Sequence, residues 1–344
     1  VPDLAVSNSG SDSISVFIGN GDGTFAAPVT VDVSPASGTS GVVAADMNED
    51  SRPDLVSSNE TTNSVAINLQ GVAGDFGPAQ TFTSGTAPKA LISLDFDHDG
   101  WIDIVTADSG SDTISVLLGN GDGTLAPRLA RQVGDDPRSV ASGQISNNTF
   151  GPDLAVANYG SNSVSVLPRN QDGSFGATYS FNTGSHPTSV AVGSANGTQD
   201  AGDILVSNEG SDNVTLILSG YERYLFMGLR PTTFTYEAGD GPRSIALGDI
   251  NGDQVPDLVT ANTFGDDATS MPGVGPEFNV VPTRFDFPDQ TVGNQSSPLT
   301  VEVVGTSDNY MARALSRSIV GPDKSNFDIY GGFCQVIPPA FVCQ

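Results

Sequence analysis

Three short loops of this chain place oxygen-bearing side chains at positions 1, 3, 5 and 9. In DMNEDSRPD these are Asp46, Asn48, Asp50 and Asp54. In DFDHDGWID they are Asp95, Asp97, Asp99 and Asp103, and in DINGDQVPD they are Asp249, Asn251, Asp253 and Asp257. Position 7 (Arg52, Trp101 or Val255) adds a backbone carbonyl. Such groups can converge on one hard cation, and Ca²⁺ takes six to eight oxygens at about 2.3–2.6 Å. The pattern predicts Ca²⁺ at about three sites, with the ions stabilising the fold. These loops are not EF-hands, because position 12 is Ser57, Thr106 or Thr260 instead of Glu. Mg²⁺ fits less well, since it keeps its waters and rarely uses an all-protein cage. The 95–103 loop offers four carboxylates and the others three each, so it is expected to bind tightest.

The elements that must position these loops follow from a repeat. The last Asp of the pattern recurs at 3, 54, 103, 153, 203 and 257, in steps of 51, 49, 50, 50 and 54 residues. Each is followed by a short apolar run, such as DLVSSN, DIVTAD or DILVSN. The units at 142–153 and 193–203 lack the leading acids, and no calcium is expected there. Within the third unit, KALISLD (89–95), DIVTAD (103–108), TISVLLGN (113–120) and RLARQV (128–133) have the length and β-branched content of strands. Between the last two lies GNGDGTL (119–125), matched by GNGDGTF (19–25) and RNQDGSF (169–175). Asp-Gly between apolar runs is a hairpin signal, because both residues tolerate positive φ. Four strands per unit and no helical periodicity predict an all-β protein, a β-propeller of six to seven four-stranded blades.

Composition narrows the partners. The net charge is −27, with 13 Lys and Arg against 40 Asp and Glu. A surface this acidic argues against nucleic acid and against anionic membranes. No apolar run is long enough to span a bilayer, so membrane insertion is not expected. The 40 Gly and 22 Pro fit many tight turns. The two cysteines, Cys334 and Cys343, are expected to form a disulfide in a secreted chain, with two free thiols as the alternative in a reducing compartment.

The repeats resemble FG-GAP/VCBS repeats, the calcium-binding blades of integrin-like propellers and of many bacterial surface proteins. FGPAQ (76–80), FAAPV (25–29) and FGATY (175–179) carry the Phe-Gly and Gly-Ala-Pro pieces of that repeat, and the resemblance spans residues 1–275. From residue 276 to 344 a different β pattern begins. TVGNQSSPLTVEV (291–303), GPDKSNFDI (321–329) and the two cysteines resemble an Ig-like β-sandwich of the ASH or choice-of-anchor kind. Both ends read as incomplete: the first unit lacks its acidic loop and the strand before it, and the last module lacks its closing strand. Either the chain is a fragment or a neighbouring copy supplies the missing strands.

The resemblance implies an extracellular or cell-surface protein with a structural or adhesive function, binding a protein or glycan ligand. One alternative is a filament subunit assembled head to tail by strand exchange between copies. Another is a carbohydrate-binding module. An enzyme is not expected: G-x-S-x-G and H-E-x-x-H are missing, and the histidines are His98 and His186 only.

Overall fold

The computed structural model describes residues 1–146, 150–171, 174–195, 202–218, 233–252 and 256–271 in full, and beyond them the backbone of four short strands. The chain forms consecutive antiparallel meanders. The first sheet holds β1 (Leu4–Asn8), β2 (Ser13–Phe17) and β3 (Val29–Asp32). The second holds β4 (Thr39–Ala45), β5 (Asp54–Asn59), β6 (Ser64–Asn68) and β7 (Gln80–Thr83). The third holds β8 (Pro88–Leu94), β9 (Asp103–Asp108), β10 (Thr113–Leu117) and β11 (Leu129–Gln132). The fourth holds β12 (Pro137–Gly143), β13 (Asp153–Asn158), β14 (Ser163–Leu167) and β15 (Tyr179–Asn182). The fifth holds β16 (Pro187–Gly193), β17 (Asp203–Asn208), β18 (Asn213–Ile217) and β19 (Thr233–Glu237). The sixth holds β20 (Pro242–Gly248), β21 (Asp257–Asn262) and β22 (Asp267–Met271).

These six sheets are the blades of a β-propeller. Four strands are described in each of the second to fifth sheets, as expected, and three in the first and the sixth. The first sheet starts at β1, the counterpart of β5 and β9, because the sequence begins at that point of its repeat. The position of a fourth strand in the sixth sheet falls beyond Met271, outside the fully described residues.

The core lies between blades. The second and third strands of the second to fifth units are largely apolar on both faces, as a sheet covered on both sides requires. Accordingly β5, β9, β13 and β17 are buried along their whole length. Val105, Ile114 and Val116 of the third blade meet Val140, Leu154 and Val156 of the fourth in one such layer. Equivalent layers join every other pair of consecutive blades. Outer strands are wet, and all four residues of β11 are exposed. Inner strands β4, β8, β12, β16 and β20 pack side by side, each with a register shift after its first residue. The first blade is less well covered: Leu4 and Val6 of β1 remain 46% and 39% exposed.

Beyond the blades, β23 (Asn279–Val281), β24 (Val301–Val304), β25 (Cys334–Ile337) and β26 (Ala340–Cys343) form one sheet in the order β23-β24-β26-β25. The register sets Cys334 opposite Cys343. The side chains there lie outside the described residues, and so do the predicted disulfide and the Ig-like reading of 276–344. No helix among the described residues is long and apolar enough to cross a membrane.

Candidate metal centres

The acidic loops connect the first and second strands of a blade. In the third blade the chain leaves β8 at Leu94 and enters β9 at Asp103. Between them, one carboxylate oxygen from each of Asp95, Asp97 and Asp99 lies within 4.8 Å of the others. Among the described residues no other group of three such ligand types converges in this way. The loop is folded by its own amides. Asp97 Oδ1 accepts the Asp99 N–H at 3.2 Å, Asp95 Oδ2 the Gly100 N–H at 3.1 Å and Asp99 Oδ1 the Trp101 N–H at 2.8 Å. Gly100 sits at φ 95°, a conformation that costs glycine nothing. Asp95 Oδ1 is buried and has no hydrogen-bond partner. A buried, unpaired carboxylate oxygen is costly unless a cation meets it.

Asp103 does not join this cluster. Its Oδ2 accepts the Phe96 N–H and its Oδ1 the Gly119 N–H, both at 2.7 Å. The same clamp recurs around the molecule. Asp54 takes the N–H groups of Met47 (2.9 Å) and Gln70 (2.8 Å). Asp153 takes those of Ser146 (2.5 Å) and Arg169 (2.8 Å), and Asp203 that of Ala195 (3.0 Å). Asp257 takes those of Ile250 (2.9 Å) and Asn251 (3.1 Å), and Asp3 that of Gly19 (2.9 Å). Because Asp153 and Asp203 stand in blades without leading acids, the position-9 aspartate serves the fold whether or not an ion is bound. In the second, third and fourth blades it ties the acidic-loop segment to the hairpin that follows the third strand. Burial raises the Asp103 carboxyl to a pKa of about 6, against the amides of Gly119, Phe96 and Asp97 and with help from the charge of Asp97. Burial also raises Asp54, with Asp50 and Asp46 adding to the effect.

The second-blade loop is arranged differently. Asp46 accepts the N–H groups of Asp50 (3.1 Å) and Ser51 (2.8 Å). Asn48 Nδ2 donates to Asp50 Oδ2 at 3.0 Å, and Arg52 N–H to Asp50 Oδ1 at 3.0 Å. The Arg52 guanidinium forms an ion pair with Asp50. In the sixth-blade loop, Asp249 Oδ1 accepts the Gly252 N–H at 2.7 Å, and Asn251 Nδ2 donates to Asp257 Oδ1 at 3.2 Å. Asp253 and Val255 lie outside the described residues.

His98 leaves the third-blade loop for the fourth blade. Its Nε2 is 3.2 Å from the Phe150 carbonyl oxygen and 3.4 Å from Arg169 Nη1. The Arg169 guanidinium in turn lies 4.6 Å over the Phe96 ring. His186 stacks on Tyr159 at 4.5 Å on the opposite rim.

One set of residues escaped the sequence reading. Asp12, Asn63, Asp112, Asn162 and Asp212 each accept the N–H that opens the next blade, from Gly38, Ala87, Asp136, His186 and Gly241, at 2.7–2.9 Å. All five hold φ between 48° and 54°, which Asn and Asp adopt more readily than most residues. The signal was available: each lies nine residues after a clamp aspartate, as 54 to 63 or 103 to 112.

Comparison with known proteins supports the architecture. The FG-GAP-like repeat family matches residues 1–57 and 46–106. No curated protein sequence matches the chain. Among solved structures, a Lactobacillus plantarum protein is similar with a TM-score of 0.57 and 17% identity, over 78% of this chain and 76% of that one. A Bacteroides fragilis protein assigned as a 6-phosphogluconolactonase gives 0.52 and 14%, over 88% and 87%. A periplasmic gluconolactonase of Pseudomonas aeruginosa gives 0.53 and 18%, over 79% and 70%. These likenesses correct the expectation that the chain is not an enzyme, since the fold is one that enzymes use. The physical reason is that linear motifs report catalytic groups close in sequence, whereas a propeller can assemble a site from loops of several blades. At these identities the likeness shows fold alone. The chain is thus a β-propeller that carries FG-GAP-like repeats at residues 1–106.

Proposed function

We propose that this chain is the calcium-stabilised propeller of an extracellular or cell-surface protein, with a structural or adhesive role. The observation that carries the calcium reading is the convergence of Asp95, Asp97 and Asp99 around a loop in which Asp95 Oδ1 is buried without a partner. All the donors are oxygen, which suits Ca²⁺ better than transition metals. The Trp101 carbonyl and waters would complete the shell. An ion here would offset the mutual repulsion of the acids and fix the turn between β8 and β9. The 249–257 loop is a second proposed site, through Asp249, Asn251 and the carboxylates that follow. The surface role is supported by the FG-GAP-like match and by the acidic composition. It implies a protein or glycan ligand.

Thermal unfolding in millimolar Ca²⁺ and in excess chelator tests the calcium reading. A fall in Tm on chelation, smaller in Asp97→Asn, is the expected result. An unchanged Tm overturns it. Binding of the calcium-loaded chain to arrayed glycans and cell-wall fractions tests the adhesive reading.

A second reading, head-to-tail association of copies, is favoured by the sixth blade. Asp266 has the same φ (52°) as the five aspartates and asparagines that reach the next blade. In the same turn, Phe264 is 65% exposed. Light scattering over a concentration series separates monomers from polymers.

A further inference from the structure

The loops at 46–54 and 95–103 have equal length and join equivalent strands, yet position 7 is Arg52 in one and Trp101 in the other. Arg52 is anchored at two points. Its guanidinium Nη2 pairs with Asp50 Oδ2, and its Nε donates to the Gln70 carbonyl at 3.1 Å. Gln70 opens the hairpin that the Asp54 clamp also holds. Every carboxylate oxygen of Asp46 and Asp50 has a donor: the Asp50 and Ser51 amides for Asp46, and the Arg52 amide, Asn48 Nδ2 and the guanidinium for Asp50. Among the described residues no Lys or Arg forms an ion pair with Asp95, Asp97 or Asp99 of the third blade, and Asp95 Oδ1 stays open. Trp101 turns instead toward the following hairpin, where it packs so closely on Gly121 that a Cβ there would collide with the indole.

We propose that Arg52 is a tethered counter-ion that closes the 46–54 loop in place of a divalent cation. The second blade then keeps its turn without metal, while the third depends on one. This rests on the calcium reading of the 95–103 loop. It replaces the expectation, drawn from spacing alone, that all three acidic loops bind calcium. Arg52 acts here as a specificity residue: it supplies a positive charge held by the chain, at the point where its neighbour blade leaves carboxylates free to share an ion.

Calcium titration calorimetry on the chelator-stripped full chain decides the matter, with Ca²⁺ itself as the probe. Arg52→Gln is expected to bind one more Ca²⁺ per chain than the wild type, and no gain overturns the proposal. Asp46→Asn is expected to leave the wild-type stoichiometry unchanged, and a loss of one ion overturns the proposal. If Arg52→Gln fails to fold, Asp46→Asn answers alone. Asp97→Asn reads the underlying calcium assignment separately. Its failure to lose an ion overturns the 95–103 site, while the role of Arg52 is still decided by the other two variants.

Discussion

The second and third blades carry loops of the same length at the same place, and they divide the labour of their acids in the same way. In each, the last aspartate is a buried clamp for two backbone amides: Asp54 for Met47 and Gln70, Asp103 for Phe96 and Gly119. The loops differ in the leading acids. Those of 95–103 converge with an oxygen to spare, and those of 46–54 are matched internally by Asn48, Arg52 and their own amides. The lesson is that one spacing of acids contains two functions. The clamp belongs to the fold and recurs in the fourth blade, whose loop lacks the leading acids. Cation binding, as proposed above, would be an addition that depends on what fills position 7.

The largest effect should come from the part the loops share. Asp54→Asn and Asp153→Asn each turn a donor toward a buried N–H. Each should cost about 3 kcal/mol, as expected for a lost charged hydrogen bond and an unsatisfied amide. Urea unfolding should give the same loss with and without chelator. A loss that vanishes in chelator would mean that the clamp works only through an ion.

Calcium itself comes next. With free Ca²⁺ at a hundredfold excess over its dissociation constant, one site should add about 2.7 kcal/mol. Asp95→Asn should remove that increment, while Asp46→Asn should keep it. Equal sensitivity of the two variants would erase the difference between the blades.

A smaller effect is expected at the junction between those blades. Asn63→Gly keeps the positive φ but removes the acceptor of the Ala87 N–H, and should cost about 1 kcal/mol in equilibrium unfolding. Free exchange of the Ala87 amide, read by hydrogen exchange, would accompany it.

The smallest effect is a gain. Where other blades have Asn8, Asn59, Asn158, Asn208 and Asn262, the third has Asp108, fully buried. Burial raises its carboxyl above the ordinary value, although Ser115, Thr106 and Arg128 act the other way. A carboxyl with a raised pKa in the folded state loses stability as pH rises from the unfolded value of 3.8 through the folded one. Asp108→Asn should therefore stabilise the chain at neutral pH. The advantage should shrink as pH falls through the raised folded value toward the unfolded one. The fourth blade shows that an amide fits: Asn158 Nδ2 donates to Ser163 Oγ at 3.1 Å and Ser165 Oγ at 2.9 Å. A variant less stable at neutral pH would show that the hydroxyl network requires the anion.

Much of this architecture was legible beforehand. The 49–54-residue steps, the alternating strands and the Asp-Gly hairpins predicted blades, and β4 to β19 follow them closely. The acidic loops also fell where the spacing put them, between first and second strands. What was not legible was which oxygens remain free. Asp103 and Asp97 look alike as positions 9 and 3 of one loop, but Asp103 meets an amide 16 residues away, across the sheet. The contacts from Asn63 to Ala87 and from Asp112 to Asp136 were hidden for a related reason. Their partners are 24 residues distant, and only the stacking of one blade on the next brings them together.

By itself, then, the sequence determined the repeat, the class of fold and the type of ligand atom, because these depend on residue identity and on neighbours along the chain. The tertiary structure decided the allocation: Asp54, Asp103 and Asp153 to backbone amides, Asp50 to Arg52, and Asp95, Asp97 and Asp99 to one another. A carboxylate takes whichever donor or cation the folded chain holds within reach. That reach is set by how strands pair and blades stack, and the spacing of acids within one loop does not encode it.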